Sequence, residues 1–232
     1  MARPRISELN TWEKYKRKIF EVMIEALAIL QDETRSEEDE PVLNRRLYNC
    51  FVQANHRLKL NHHLPTPEGK NPPDPDDEER ATRENKIPDF YWHFVDHTML
   101  DSRRCARRFV LECKRLGKPP SSGWILNENY VQNGICRFIT EEHGYGKGDE
   151  SGAMIGYVQH MEFDVVFCEV NATIAINGEP VTILQPPVGG WKVDGISCLD
   201  HTFERSFAKT PFHLWHLWVD LCSCYDRKPV ER

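Results

Sequence analysis

The sequence lacks any long apolar segment. No run approaches the about eighteen uncharged apolar residues that a membrane-spanning helix needs, and residues 1–20 contain no apolar core of a signal peptide. We therefore expect a cytoplasmic protein that does not contact a membrane.

Motifs for bound zinc and for a phosphate-binding loop are also missing. The eight cysteines include no C-x-x-C pair, so free buried thiols are predicted. His213 and His216 precede Cys222 and Cys224, but no second pair stands at a zinc-site spacing, and the surrounding residues alternate as a buried strand does. The glycine-rich residues 144–152 lack the G-x-x-x-x-G-K-[ST] pattern. Neither a zinc site nor a P-loop is predicted.

Positive charge is scarce overall but concentrated locally. The formal net charge is −6, which by itself argues against a polyanionic partner. Residues 31–40 hold six acids and one base, whereas residues 103–118 hold seven bases and one acid. This segregation favours a local basic surface that could face a phosphate backbone. Two alternatives stay open, namely solvated charged faces and pairing of the two runs with each other.

The composition predicts one globular domain over residues 1–232. Hydrophobic residues make up 40% of the chain and charged residues 28%, which is enough apolar material for a core. Residues 9–30 have the apolar spacing of an amphipathic helix, and Pro41 suits the first turn of a second helix. The predicted parts are an N-terminal helical part (1–36), a core (37–220) and, within the core, a mobile proline-rich loop (65–86).

Strand and helix patterns alternate through the core. IPDFYWHFV is rich in aromatic and β-branched residues, as strands are, and RFVLECKRL is predicted to be a second strand. A polar turn separates the two, which predicts a β-hairpin. The further predicted elements are a helix over 127–142, a strand at AMIGYV, a helix over 163–177, and strands at VTILQ, ISCL and PFHLWHLWVDL. This order predicts an α/β (α+β) fold with helices flanking a central mixed β-sheet.

Three ionisable residues of the predicted hairpin share one location. Asp89 begins one strand, and Glu112 and Lys114 lie two residues apart on the next, so their side chains point to the same face. Burying two acids and a lysine there is costly unless they pair or a cation compensates them, and carboxylate oxygens suit a hard divalent cation. The pattern predicts a metal site, with a structural ion-pair cluster as the open alternative.

Pro88-Asp89 and Glu112-Cys113-Lys114, set in IPDF and FVLECKRL, resemble the PD-(D/E)xK nuclease superfamily. The resemblance implies a restriction-endonuclease-like core, with Asp89 and Glu112 as Mg²⁺ ligands and Lys114 serving the attacking water. It covers roughly residues 37–160, and the pattern Y-x-x-x-G-x-x-R-F followed by AMIGYV is similar to prokaryotic phage-defence or mobile-element members.

The same resemblance implies further site residues. A glutamate from the preceding helix often joins the metal, and Glu40 matches that position, with Glu37 and Glu38 as alternatives. The helix after the lysine strand often contacts phosphate. The residues implied there, together with those predicted from the basic run, are Tyr130, Gln132, Arg137, Arg104, Arg107 and Arg115.

The resulting expectation is a Mg²⁺-dependent nuclease, with Mn²⁺ able to substitute. DNA is favoured over RNA as the substrate, and a restriction-like or phage-defence endonuclease is implied. Cleavage of both strands would require two active sites, so a homodimer or a partner subunit is expected. The alternative is a catalytically silent module that has kept the nuclease fold and binds nucleic acid or a partner protein.

Overall fold

The fold is α+β, with helices flanking a six-stranded mixed sheet. The computed structural model describes residues 11–33, 39–60, 63–70, 85–102, 105–118, 125–177, 182–208 and 210–222. In chain order the strands are β1 (Thr66–Pro67), β2 (Phe90–Val95), β3 (Ala106–Gly117), β4 (Ser151–Gln159), β5 (Ile196–Phe203) and β6 (Phe212–Asp220). The spatial order is β1-β2-β3-β4-β6-β5, in which the β3–β4 and β4–β6 pairs are parallel and the others antiparallel.

Two long helices cover one face of the sheet. Helix α1 (Thr11–Glu33) buries the apolar stripe that its sequence predicted, and α2 (Glu40–Arg57) begins with Pro41 in its first turn, as predicted. Their side chains form one core with the sheet residues that point the same way, including Trp92, Phe109 and Ile155. None of the helices in the described ranges is long and apolar enough to cross a bilayer.

The opposite face has its own core under two shorter helices. Helix α3 runs through three consecutive segments, Leu126–Tyr130, Val131–Ile135 and Cys136–Ile139, and its middle segment is a π-helical turn. Helix α4 (Phe163–Asn177) follows β4. All nine residues of β4 are buried, because both of its neighbours are strands and helices cover both faces.

The predicted hairpin of β2 and β3 is confirmed, and its register places the acidic residues. Phe90 pairs with Leu111, so Asp89, the residue just before β2, lies opposite Glu112. Glu112 and Lys114 share a sheet face because they lie two residues apart, and they lie beyond the start of β2, where β3 continues beside β4 alone. The site therefore lies where the edge of β3 that faces β2 is no longer paired with β2.

Gly134, in the π-helical turn of α3, lets the helix approach this part of β3 closely. A Cβ at Gly134 would lie 2.3 Å from Met154 Cε and 3.4 Å from Lys114 Cγ. An alanine at this position would require the flexible end of the Met154 side chain to move aside. π-turns of this kind are frequent at functional sites.

Three local predictions need correction. VTILQ is not a strand, since residues 182–187 have no regular structure and 181 lies outside the described residues. The loop predicted at 65–86 contains β1, which extends the sheet beside β2. The predicted mobility concerns mainly residues 71–84, which lie outside the described residues. The helix predicted over 127–142 spans Leu126–Ile139 instead, and Asn127 is a buried residue within it, whose side chain accepts from Gly117 N and donates to Glu169.

Candidate active site

Three carboxylates surround one ammonium group at the start of β2. Lys114 Nζ lies 2.7 Å from Glu40 Oε1, 2.9 Å from Glu112 Oε1 and 3.8 Å from Asp89 Oδ2. It also donates to the carbonyl oxygen of Cys113 at 2.8 Å. The structure thus brings together Glu40, Asp89, Glu112 and Lys114, which the sequence assigned to one site. Glu37 and Glu38, the alternatives to Glu40, lie outside the described residues.

Asp89 is held in place by the backbone of β3 and by α2. Its Oδ2 accepts the N–H of Cys113 at 2.7 Å, and this N–H lies beyond the start of β2, so no residue of β2 pairs with it. Its Oδ1 accepts from Asn44 Nδ2 at 3.1 Å, and the hydroxyl of Tyr157 donates to Asn44 Oδ1 at 2.9 Å. Because Asn44 follows Glu40 by one helical turn, α2 delivers both a carboxylate and a positioning amide.

Glu112 is fully buried, and only one of its oxygens is paired. Oε1 accepts from Lys114 and from Arg137 NH1, which is 2.5 Å away. Oε2 is buried without a hydrogen bond in the described part of the chain, as is Arg137 Nε. Burial and the nearby Asp89 raise the pKa of Glu112 to about 8, against the lowering influence of Lys114 and Arg137. A buried carboxylate oxygen without a donor is costly unless a further cation or donor reaches it.

Lys114 keeps its positive charge in this environment. Burial acts to lower its pKa, but Glu112, Asp89 and Glu40 act more strongly, and the net pKa is raised. In the described ranges, no group of three His, Cys, Asp or Glu side chains is arranged to hold a metal ion. The ammonium contacts the oxygens that such an ion would need, so it stands in for a cation among them.

Arg137 reaches Glu112 from helix α3, and Tyr145 supports it. Its predicted contact with phosphate stays a prediction. The hydroxyl of Tyr145 shares a side-chain hydrogen bond with Arg137, and burial raises the pKa of Tyr145 so that it stays a neutral phenol. Tyr145 belongs to the glycine-rich residues 144–152, and Arg205 holds these residues by donating to the carbonyls of Tyr145, Gly146 and Asp149. The glycine-rich loop is therefore fixed against the site rather than free to cradle a phosphate.

The prediction that Tyr130 contacts nucleic acid is wrong. Its ring is fully buried, and its hydroxyl lies 2.6 Å from His216 Nδ1 and accepts from Trp218 Nε1 at 3.0 Å. His216 Nε2 in turn lies 3.3 Å from His201 Nδ1. Tyr130 occupies the inward face of α3, so it completes a buried polar chain across β6 and β5.

This polar chain predicts a pH dependence of stability. Burial lowers the pKa of His201 to about 4 and that of His216 well below its usual value, so both are neutral when folded and charged when unfolded at mildly acidic pH. The unfolded state then binds more protons, and stability should rise with pH between about 4 and about 6.5. The raised pKa of Glu112 opposes this rise, but two histidines outweigh one carboxyl. Denaturant midpoints across that range measure the slope.

His201→Gln should reduce this slope, because it removes one of the two titrating rings. His56→Asn is the matched control, since His56 is an exposed histidine on α2 and does not belong to the buried polar chain. A stability profile that is flat or falls with rising pH would contradict the assignment of neutral buried histidines.

The remaining predicted nucleic-acid contacts have different outcomes. Arg107 is partly exposed, but its guanidinium pairs with Asp96 at 2.7 Å and lies 3.5 Å from Asp149. Arg115 is wrongly predicted as a contact, because it is 8% exposed and bonds to Asp39 and Gln159. Gln132 is exposed on α3 and stays a prediction. Arg104 lies outside the described residues.

Sequence reasoning missed three residues of the site, namely Asn44, Tyr145 and Tyr157. Asn44 has a signal in the sequence, since it follows Glu40 at a spacing of four in a predicted helix. Tyr157 also has a signal in the sequence, because it lies in β4, the strand next to β3, and faces the side that α1 and α2 cover. Tyr145 has none, because only the folding of the glycine-rich loop brings it to Arg137.

Comparison with protein-family models, with curated proteins and with solved structures finds no match for this chain.

Proposed function

We propose that this protein is a metal-dependent nuclease that hydrolyses phosphodiester bonds, built on a restriction-endonuclease-like core of the PD-(D/E)xK type. The observation that carries the proposal is the convergence of Glu40, Asp89 and Glu112 on one buried lysine, with an oxygen of Glu112 left without a donor. Mixed-sheet topology and the position of the hairpin agree with that core. DNA is the favoured substrate.

The donor set fits Mg²⁺, with Mn²⁺ as a substitute. Hard divalent ions of this size prefer carboxylate and carbonyl oxygens and keep several water ligands. Asp89, Glu112 and Glu40 would supply the carboxylates. Once Glu112 has lost its proton, three carboxylates against Lys114 and Arg137 leave one negative charge without a counter-charge. When bound, the metal ion would supply Lewis-acid stabilisation of charge on the phosphate and a more acidic water.

The protein's own side chains have separable tasks in such a reaction. Lys114 stays protonated, so it is not a general base and instead orients a water molecule and stabilises negative charge. The side chain of Arg137 is 27% exposed, and its guanidinium can pair with a phosphate oxygen while Glu112 and Tyr145 hold it. Asn44 positions Asp89 and is not expected to contact the substrate.

Cleavage assays test this proposal directly. The purified protein is incubated with supercoiled plasmid, linear duplex DNA, single-stranded DNA and RNA, in the presence of Mg²⁺, Mn²⁺ or EDTA. Cleavage should require the metal ion, and Asp89→Asn should reduce its rate by at least about 10²-fold, because a single charged contact to a reacting centre contributes that much. The pattern of products also distinguishes DNA from RNA and endonuclease from exonuclease action.

Asp200→Asn is the matched control, since Asp200 is an exposed aspartate on the edge strand β5 and far from the site in strand order. It should cut as the wild type does. If Asp89→Asn cuts as well as Asp200→Asn, the lysine site is not where cleavage occurs. If the wild type cuts none of the four substrates, catalysis by the isolated chain is excluded. The remaining function for the fold would then be binding of nucleic acid or of a partner protein.

A further inference from the structure

A cleft opens beside Asp89, between helix α2 and the short strand β1. Its volume is about 300 Å³, which is the lower end of the range for ligand pockets. We call it the α2–β1 cleft, and its lining includes Asn44, Arg45, Tyr48, Pro67, Glu68 and Asp89. Because Asp89 belongs both to the cleft and to the lysine site, a molecule in the cleft lies next to the reacting position.

Arg45 is an available cation at this cleft. Lys114, Arg115 and Arg137 each have a carboxylate partner within 3 Å. In contrast, Arg45 is exposed and has no ion pair or hydrogen bond within the described part of the chain. A guanidinium without a carboxylate partner can bind a phosphate without first breaking an ion pair.

Tyr48 offers an aromatic surface one helical turn from Asn44. Its ring is partly buried against the core, and its hydroxyl has no hydrogen bond to any described residue. On the other side of the cleft, the exposed carboxylate of Glu68 can accept an N–H from a base. A phosphate-binding cation, a stacking ring and a base acceptor therefore line one cavity.

We propose that the α2–β1 cleft binds one unstacked nucleotide of single-stranded nucleic acid, next to the phosphodiester that is cut. Tyr48 stacks on the base and Arg45 binds a flanking phosphate. This inference rests on the proposed nuclease function and narrows its substrate to single strands, because a ring can stack on a base only where that base has left a duplex.

Binding measurements test the cleft without requiring cleavage. The probe is a fluorescein-labelled oligothymidylate, and its anisotropy is followed with the full-length protein in EDTA. Arg45→Ala and Tyr48→Ala should each weaken binding by about tenfold, the effect of losing a stacked base or a phosphate contact. Tyr48→Phe should bind within about twofold of the wild type, because stacking needs the ring and not the hydroxyl.

Arg17→Ala is the matched control, since Arg17 is an exposed helical arginine without an ion pair in the described ranges and lies on α1. It should leave affinity within about twofold, which separates a local contact from a general loss of charge. A duplex of the same length should bind more weakly than the single strand, and its affinity should not depend on Tyr48.

Two results would contradict the proposed nucleotide site. If Arg45→Ala and Tyr48→Ala bind the oligonucleotide as Arg17→Ala does, or if the wild type does not bind it, the cleft is not a nucleotide site. Failure of the nuclease proposal alone would give a different pattern. Binding of the oligonucleotide would still depend on Tyr48, but no metal ion would support cleavage. Cleavage with Tyr48-independent binding would keep the nuclease and reject the cleft.

Discussion

Lys114→Met is expected to abolish measurable cleavage and to lower the free energy of unfolding by about 3 kcal/mol near neutral pH. The ammonium is the only cation in contact with both Glu40 and Glu112 in the described residues, and Glu112 is fully buried. Without it, the pKa of Glu112 should rise further, because Lys114 acts to lower it, and Glu40 and Asp89 lose the cation that they share. Denaturant unfolding and the plasmid assay measure the two effects separately.

Adding Mg²⁺ provides a second measurement on the same variant. With the ammonium removed, the carboxylates have no cation other than Arg137, so millimolar Mg²⁺ should raise the melting temperature of Lys114→Met more than that of the wild type. Cleavage should not return, because the metal ion does not replace the group that orients the water. If Mg²⁺ changes the melting temperature of neither protein, a metal site among these carboxylates is contradicted.

Lys16→Met is the matched control for this experiment. Lys16 is also a buried lysine, but it lies on α1 and pairs with the half-exposed Glu13 at 2.7 Å. Its loss leaves no carboxylate stranded in the interior, so we expect a decrease of about 1 kcal/mol and unchanged cleavage. If Lys16→Met and Lys114→Met lost cleavage to a similar extent, the loss would come from reduced stability and not from a specific role of Lys114.

Arg205→Met should lower the free energy of unfolding by about 3 kcal/mol, because it strands several buried carbonyl groups at once. Arg205 is 4% exposed and donates to the carbonyls of Tyr145, Gly146 and Asp149 at 3.0–3.1 Å. Its guanidinium also stacks 3.8 Å from the centre of the Phe212 ring. Methionine fills part of the space but supplies no donor.

The same substitution should reduce cleavage about tenfold without abolishing it, which is the order of effect expected when a supporting group is lost. Arg205 fixes the loop that carries Tyr145, and Tyr145 holds Arg137 beside Glu112. Arg205→Lys should recover only part of the lost stability, because one ammonium cannot match the planar fork that reaches several carbonyls.

Arg57→Met is the control for the stability of Arg205→Met. Arg57 is exposed and pairs with Glu25 on the surface, so its loss should cost under about 0.5 kcal/mol. If Arg205→Met unfolds within about 1 kcal/mol of the wild type, the carbonyl groups have found other donors and the fixed-loop interpretation is wrong.

Patterns of local spacing were sufficient for most of the fold. The helices of residues 11–33 and 40–57, the hairpin, and the strands at 151–159 and 212–220 all follow from apolar periods of 3.6 or 2 and from Pro41 at a helix start. VTILQ failed because a short apolar stretch satisfies a strand pattern whether or not a neighbouring strand is available to pair with it. Its hydrogen bonds go elsewhere, as from Leu184 N to Asn171.

The sequence by itself determined which ionisable residues meet, because strand alternation places Glu112 and Lys114 on one face and hairpin pairing brings Asp89 opposite them. Only the tertiary structure decided which cations are available to a ligand. Arg107, Arg115 and Arg45 look alike in sequence. Arg107 lies near Asp149 and Arg115 pairs with Asp39, both far away in the chain, whereas Arg45 has no such partner among the described residues. Ion pairing and burial depend on contacts between residues far apart in the chain, and no local spacing encodes them.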